Sequence, residues 1–331
     1  MSHRRQGSYR AARLLALPAL LGFASGPVIA ATQWGSYQWQ APPTNLSLYE
    51  NVVLSATGTD WTTFLNSTSS VDGKGGQGAA QDWSDPRTNG LVGFSPKPEN
   101  ASVDRRKCPA RTGEVEVCNN TYGRNGWLGV AQIWVNGDFI QKGSVKLNDT
   151  YFDMSAYSSP GWKYLVACQE VGHTLGLSHD DTTFGDTNYG TCMDYTSYPD
   201  NAGSYYDDAL GQSEPTLNNR EPNDNDYGLL VCMYSGSCLG SYANAAPSTG
   251  GSGGGGNGHH GHGKPQGGPT DFGIRVPGQT PPVDFLAVDA GNSPTEWGKA
   301  VAFTADGRGR VFEREIAPGR KIITEVFWAP H

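Results

Sequence analysis

The chain has 331 residues with 24 Lys+Arg against 32 Asp+Glu, a net charge of −8, and only 17% of its residues are charged. Four arginines and no acid in the first thirty residues leave the remainder near −12, and this acidic balance without a basic cluster argues against nucleic acid or an anionic membrane as partner. The length allows one domain of about 200 residues plus an appendage.

Residues 1–30 read as a signal peptide: a basic stretch with Arg4, Arg5, Arg10 and Arg13, an apolar run over 14–23, and small residues before Ala30. The apolar run is too short to span a bilayer, and no later run is longer. The expected product is exported, extracellular or periplasmic, and monomeric. Six cysteines follow: Cys108, Cys118, Cys168, Cys192, Cys232 and Cys238. An even count in an exported chain predicts three disulfides, and nearest-neighbour pairing gives Cys108–Cys118, Cys168–Cys192 and Cys232–Cys238.

A main domain is expected over 31–245. Residues 51–56 and 114–118 have the β-branched content of strands, and 127–135 followed by Asn136-Gly137-Asp138 and 139–147 predicts a hairpin. Residues 73–78 and 95–109 read as loops. Ser158-Ser159-Pro160 marks a helix start, and apolar residues continue at helical spacing from Trp162 to Leu175. Gly176 is placed to end that helix in a left-handed turn. A second helix is expected over 224–233. Residues 246–270 form a Gly-rich linker with His259, His260 and His262. Residues 271–331 hold three strand-like stretches, a small β-rich unit that is marginal alone and is expected to dock on the main domain.

The chemistry lies in Gln169-Glu170-Val171-Gly172-His173-Thr174-Leu175-Gly176-Leu177-Ser178-His179. Residues four apart on a helix share a face, so 169 and 173 can reach one ion. The glycine turn lets His179 return to that ion, and Glu170 can take a proton from metal-bound water. The chain has seven histidines, and those in the main domain are His173 and His179, both on these positions.

This stretch resembles the HExxHxxGxxH signature of the metzincin zinc proteases, most closely the matrixin-like branch, with Gln169 in place of the first histidine. Gly190-Thr191-Cys192-Met193-Asp194-Tyr195 resembles the family's Met-turn. The resemblance covers roughly residues 51–234. It implies an α+β fold: a mostly parallel twisted sheet with one antiparallel edge strand, an active-site helix and a C-terminal helix, with the small β unit as appendage. It implies zinc on His173 and His179, Glu170 as general base, Met193 as the turn methionine, and Tyr195 near the metal or transition state. It also implies a peptide or protein substrate pairing with an edge strand. A Cys168–Cys192 bridge would tie the active-site helix to the Met-turn.

The glutamine departs from that pattern, since an amide oxygen suits zinc less well than imidazole. Three readings stay open: Gln169 ligates through its oxygen; Asp180 or a linker histidine completes the site; or catalysis is lost and the cleft serves a secreted peptide-binding module. Asp180, Asp181, Asp186 and Asn188 also crowd one loop, a weaker candidate for calcium than for a solvated acidic surface. The expectation is a secreted zinc endopeptidase.

Overall fold

The computed structural model describes residues 31–99, 103–207, 210–216, 218–236 and 284–330. The segment read as a signal peptide, the glycine-rich stretch read as a linker with its histidines, and Cys238 lie outside the described residues.

In chain order the strands are β1 (Gln38–Trp39), β2 (Leu46–Asn51), β3 (Phe94–Pro98), β4 (Glu114–Asn120), β5 (Trp127–Asn136), β6 (Phe139–Asn148), β7 (Gly203–Asp207), β8 (Gln212–Thr216), β9 (Lys299–Phe303), β10 (Gly309–Ala317) and β11 (Arg320–Trp328). The α-helices are α1 (Trp61–Asn66), α2 (Ala79–Asp82), α3 (Asp149–Phe152), α4 (Pro160–His173), α5 (Asp224–Ser235) and α6 (Pro294–Trp297).

One large sheet runs in the order β3-β2-β4-β6-β5-β11-β10-β9, with β1 beside β6. β3, β2, β4 and β6 are mutually parallel, and β5 is antiparallel to β6. The fold is α+β with a mixed sheet; the antiparallel strand expected at an edge, β5, is internal, because β11 pairs along its outer side and β10 and β9 extend the antiparallel part. The hairpin turns at Asn136-Gly137, where Gly137 takes φ 59°. The C-terminal unit continues the same sheet: β11 pairs antiparallel with β5 from Arg320↔Asn136 to Trp328↔Trp127.

Two strand assignments differ from expectation. β2 covers 46–51 rather than 51–56, because Leu46 and Leu48 alternate into the core while Val53 and Leu54 stay 43% and 67% exposed. β3 falls inside the segment read as a loop; it sits at the sheet edge, where Pro96 and Pro98 cost no ladder bond on the open side. The small β7–β8 ribbon has no counterpart among the strand-like stretches of the sequence.

α4 starts as Ser159-Pro160 implies. The Ser159 hydroxyl caps the Trp162 amide, and Pro160 occupies the first turn, where no amide is needed. Every helix residue from Gly161 to His173 is buried, so α4 lies in the middle of the molecule against β5, β6 and β11. Gly176 takes φ 95°, and a side chain there would meet the Tyr37 carbonyl at 2.2 Å. α5 begins on an Asn223–Asp226 capping box, and the Tyr234 hydroxyl donates to the Leu175 carbonyl, fixing the end of α4.

Cys108–Cys118 and Cys168–Cys192 are bonded as the nearest-neighbour reading expects, and Cys232 is also disulfide-bonded. Such bridges suit an oxidising compartment. No described helix is long and apolar enough to cross a membrane.

Candidate metal centre

The last turn of α4 carries Gln169, Glu170 and His173, and the Gly176 turn brings His179 back to them. The Nε2 atoms of His173 and His179 stand 3.2 Å apart, and the Gln169 Oε1 is 3.2 Å from His179 Nε2. The Gln169 amide is oriented by its other end. Its Nε2 donates to the carbonyls of Cys192 at 2.7 Å and Asp194 at 3.3 Å, so the backbone of the 190–195 turn points the oxygen at the histidines. The Cys168–Cys192 bridge ties the helix to that turn one residue before Gln169 and at the carbonyl it uses.

Both rings have their Nδ1 committed. His173 Nδ1 is 2.9 Å from the Leu177 carbonyl, which can only accept, and His179 Nδ1 is 3.0 Å from Glu325 Oε1. The Leu177 carbonyl assigns the proton of His173 to Nδ1; His179 Nδ1 faces both the Glu325 carboxylate and the Arg310 guanidinium, whose Nη1 lies 3.4 Å away, so its tautomer follows from what Nε2 binds. With the His179 proton on Nδ1, the Gln169 oxygen and both Nε2 lone pairs would face one ion; with it on Nε2, His179 can donate to the Gln169 oxygen or to His173. Ligand atoms at 2.0–2.1 Å from a tetrahedral zinc lie about 3.3 Å apart, close to the spacing found here. The residues present fit a metal ion.

Glu325, on β11, is the member that the motif did not reveal. Among the described residues, His173, His179 and Glu325 are the only His, Cys, Asp or Glu group able to hold a metal, with a donor atom from each within 4.8 Å. Its carboxylate touches the Nδ1 side of the rings, at 3.0 Å from His179 and 3.4 Å from His173. It also accepts from Arg310 at 2.8 Å and Ser178 at 3.0 Å. Glu325 thus lies on the Nδ1 side of the rings, and the Gln169 oxygen on the Nε2 side. Asp180, weighed as third ligand, is not in this group. Its Oδ1 accepts the Thr32 amide at 3.2 Å, and it faces Asp194 and Asp226.

Burial sets the electrostatics. Gln169, Glu170, His173 and Glu325 have no exposed surface, and His179 is 3% exposed. Burial drives His173 down to about 4 against the opposing Glu325 charge, and drives His179 well below its usual range, helped by Arg310. Neutral imidazoles are the form a metal needs. Burial, then the Glu325 charge, raises Glu170 well above the carboxylate range. Both Glu170 oxygens lack a partner at good geometry; the amides nearest them are those of Phe327 and Ala131. A Cβ on Gly129 would lie 2.5 Å from Glu170 Oε1, so the bare backbone of β5 lets the carboxylate sit this close.

Met193 is fully buried beneath α4: a Cβ on Gly172 would meet its sulfur at 2.8 Å. Tyr195 lies 4.5 Å from the His179 ring, and its hydroxyl donates to the Val326 carbonyl. Asp181, Asp186 and Asn188 gather nearby, with Asn188 bonded to Thr196 and to the carbonyls of Tyr198 and Asn201. No protein-family model matches the chain, and no curated protein matches it.

Proposed function

We propose that this chain is a zinc-dependent endopeptidase of metzincin type, exported from the cell, that hydrolyses peptide bonds. The observation that carries the reading is the convergence of the Gln169 oxygen and two histidine Nε2 atoms beside an unpartnered Glu170. The sheet order supports it: β5 lies antiparallel beside four parallel strands, and its other side already carries an extended strand, β11, in the way it could carry a peptide. His173, His179 and Gln169 would hold the metal.

Held there by His173, His179 and Gln169, a zinc ion would supply Lewis-acid polarisation of a carbonyl and a more acidic water. Glu170, beside the three donors, would accept a proton from the attacking water and return it to the leaving amine. Tyr195 donates to the oxygen of the reacting carbonyl. The Leu177 carbonyl holds the His173 ring in the ligating tautomer.

A second reading, a peptide-binding module without catalysis, is favoured by the complete burial of Glu170. One experiment separates the two. Zinc per chain is measured, and cleavage of denatured casein is followed with and without a chelator, in the full-length chain and after limited proteolysis between its main and C-terminal parts. One zinc per chain and chelator-sensitive cleavage are expected. Glu170→Gln is expected to keep the zinc and lower the rate by about 10²–10⁴-fold. Zinc binding without cleavage in either form would leave the binding module.

A further inference from the structure

β11 runs along β5 antiparallel, in extended conformation, over the metal centre. Its register sets Glu325 opposite Ala131, Val326 opposite Val130 and Phe327 opposite Gly129. Strand alternation sends Glu325 and Phe327 to the α4 face and Val326 and Trp328 to the other. On that other face Val326 and Trp328 pack with Trp127, Val130 and Trp297. On the α4 face the Phe327 ring stacks on Tyr195, with centroids 4.7 Å apart and planes 10° apart.

The peptide link between Val326 and Phe327 has a particular setting. Its carbonyl accepts from the Tyr195 hydroxyl, and its nitrogen belongs to Phe327, whose partner on β5 is Gly129, the residue against which the Glu170 carboxylate lies. A hydrolysed peptide bond needs the same two partners: a donor on the carbonyl oxygen and an acid–base group at the amide nitrogen.

We propose that β11 is a resident pseudo-substrate: the chain's own C-terminal strand fills the substrate groove on β5, with the Val326–Phe327 peptide at the reacting position, and so holds the enzyme latent. The proposal rests on the peptidase reading for what β11 imitates; the occlusion itself rests on the geometry. The segment before α6 is anchored to β5 and β6: Lys146 Nζ donates to the Gly291 carbonyl and the Asn292 side chain at 2.8 and 2.9 Å, Lys142 Nζ to the Leu286 carbonyl at 2.7 Å, and Trp134 Nε1 to the Val288 carbonyl at 3.3 Å. Tethering within one chain gives β11 a high effective concentration that a free peptide must overcome. The imitation also names a substrate class: extended segments with an aromatic side chain directly after the cleaved bond, to stack on Tyr195.

The test uses the full-length chain, with binding as the first readout. Three forms are compared: wild type, Phe327→Ala, and wild type nicked at a protease site inserted in the glycine-rich stretch between 248 and 268. The probes are a fluorescent synthetic peptide of residues 320–330, titrated into metal-free protein, and a fluorescent peptide hydroxamate, titrated into zinc-loaded protein. Intact wild type is expected to bind neither measurably, while Phe327→Ala and the nicked chain bind both at least tenfold more tightly. The same peptide carrying the Phe327→Ala change is expected to bind the nicked chain at least tenfold more weakly than the native one.

Intact wild type binding the hydroxamate as tightly as the nicked chain would overturn the proposal. So would a nicked chain that loses its circular dichroism when β11 exchanges, since β11 would then be a structural strand and not an occupant. If Phe327→Ala fails to fold, the nicked chain still decides. Probe binding gained without peptide cleavage removes the peptidase reading and leaves the occlusion. Cleavage by intact wild type at the nicked chain's rate removes the occlusion and leaves the peptidase.

Discussion

Gln169 is where a single side chain decides the chemistry. Its amide nitrogen is held by the Cys192 and Asp194 carbonyls, which leaves the oxygen as the donor facing His179. A neutral oxygen binds zinc less strongly than imidazole. Gln169→His could keep a ring N–H on the same carbonyls and present a ring nitrogen where the oxygen stands. Zinc affinity, measured by competition with a chelating dye, is expected to rise by about tenfold or more, the scale at which changes around a metal centre act. Unchanged affinity would place the third ligand elsewhere, with Glu325 the first alternative. Much of this centre is legible in the chain: position 169 in the spacing, the turn at Gly176, the two histidines. Glu325 is not, since it lies far along the chain from His179. Its one signal is a carboxylate in the largely apolar Ile322–Trp328 stretch, a polar group that a strand covered on both faces must pair with something.

Among elements, α4 and the 190–195 turn act together because the Cys168–Cys192 bridge joins them beside Gln169. Closing a loop with 24 residues of separation is worth about 3 kcal/mol by chain-entropy reasoning. The Cys168→Ser, Cys192→Ser double variant is expected to lose about that much in urea unfolding. It is also expected to bind zinc more weakly, because the Cys192 carbonyl that aims the Gln169 amide is no longer fixed. A stability loss without a zinc effect would separate the bridge from the metal centre. The elements that are legible share local chemistry: Ser159-Pro160 at a helix start, Asn136-Gly137 at a hairpin, neighbouring cysteines. Those that are not depend on partners far along the chain. β3 carries two prolines and is a strand only because it docks beside β2, while the apolar 52–54 run lies just past the strand that the alternation of Leu46 and Leu48 defines. The pairing of β11 with β5 belongs to the same class, for nothing within 320–328 names its neighbour.

At the scale of the whole molecule, an acidic chain has folded many carboxylates inward, and this gives its stability a definite pH profile. Burial raises Glu50 from 4.5 to about 7, Glu116 from 4.5 to about 7, and Asp82 from 3.8 to about 8. Asp180 and Asp194, raised well above their usual range, act in the same sense. Each such group binds its proton more tightly folded than unfolded. Its contribution is complete below the unfolded pKa and is lost as pH rises through the folded one. The buried histidines act oppositely: their folded pKa is depressed, so their contribution is present above 6.5 and lost as pH falls toward 4. Lys142 and Lys146, both lowered to about 8 by burial, shed their protons earlier in the folded state, so stability recovers from about 8 toward 10.5. Between about 4.5 and 6.5 the five carboxylates outweigh the two histidines, so the metal-free chain is expected to be most stable near pH 4.5, and its Tm to fall by about 5 °C or more between pH 6.5 and 8. Scanning calorimetry at half-unit steps checks this. Asp82→Asn, which removes the most strongly raised of Glu50, Asp82 and Glu116 yet keeps an oxygen for the Gln77 amide, is expected to flatten the fall. A Tm that rises from 6.5 to 8 would mean that these carboxylates are ionised in the fold and paired with cationic side chains.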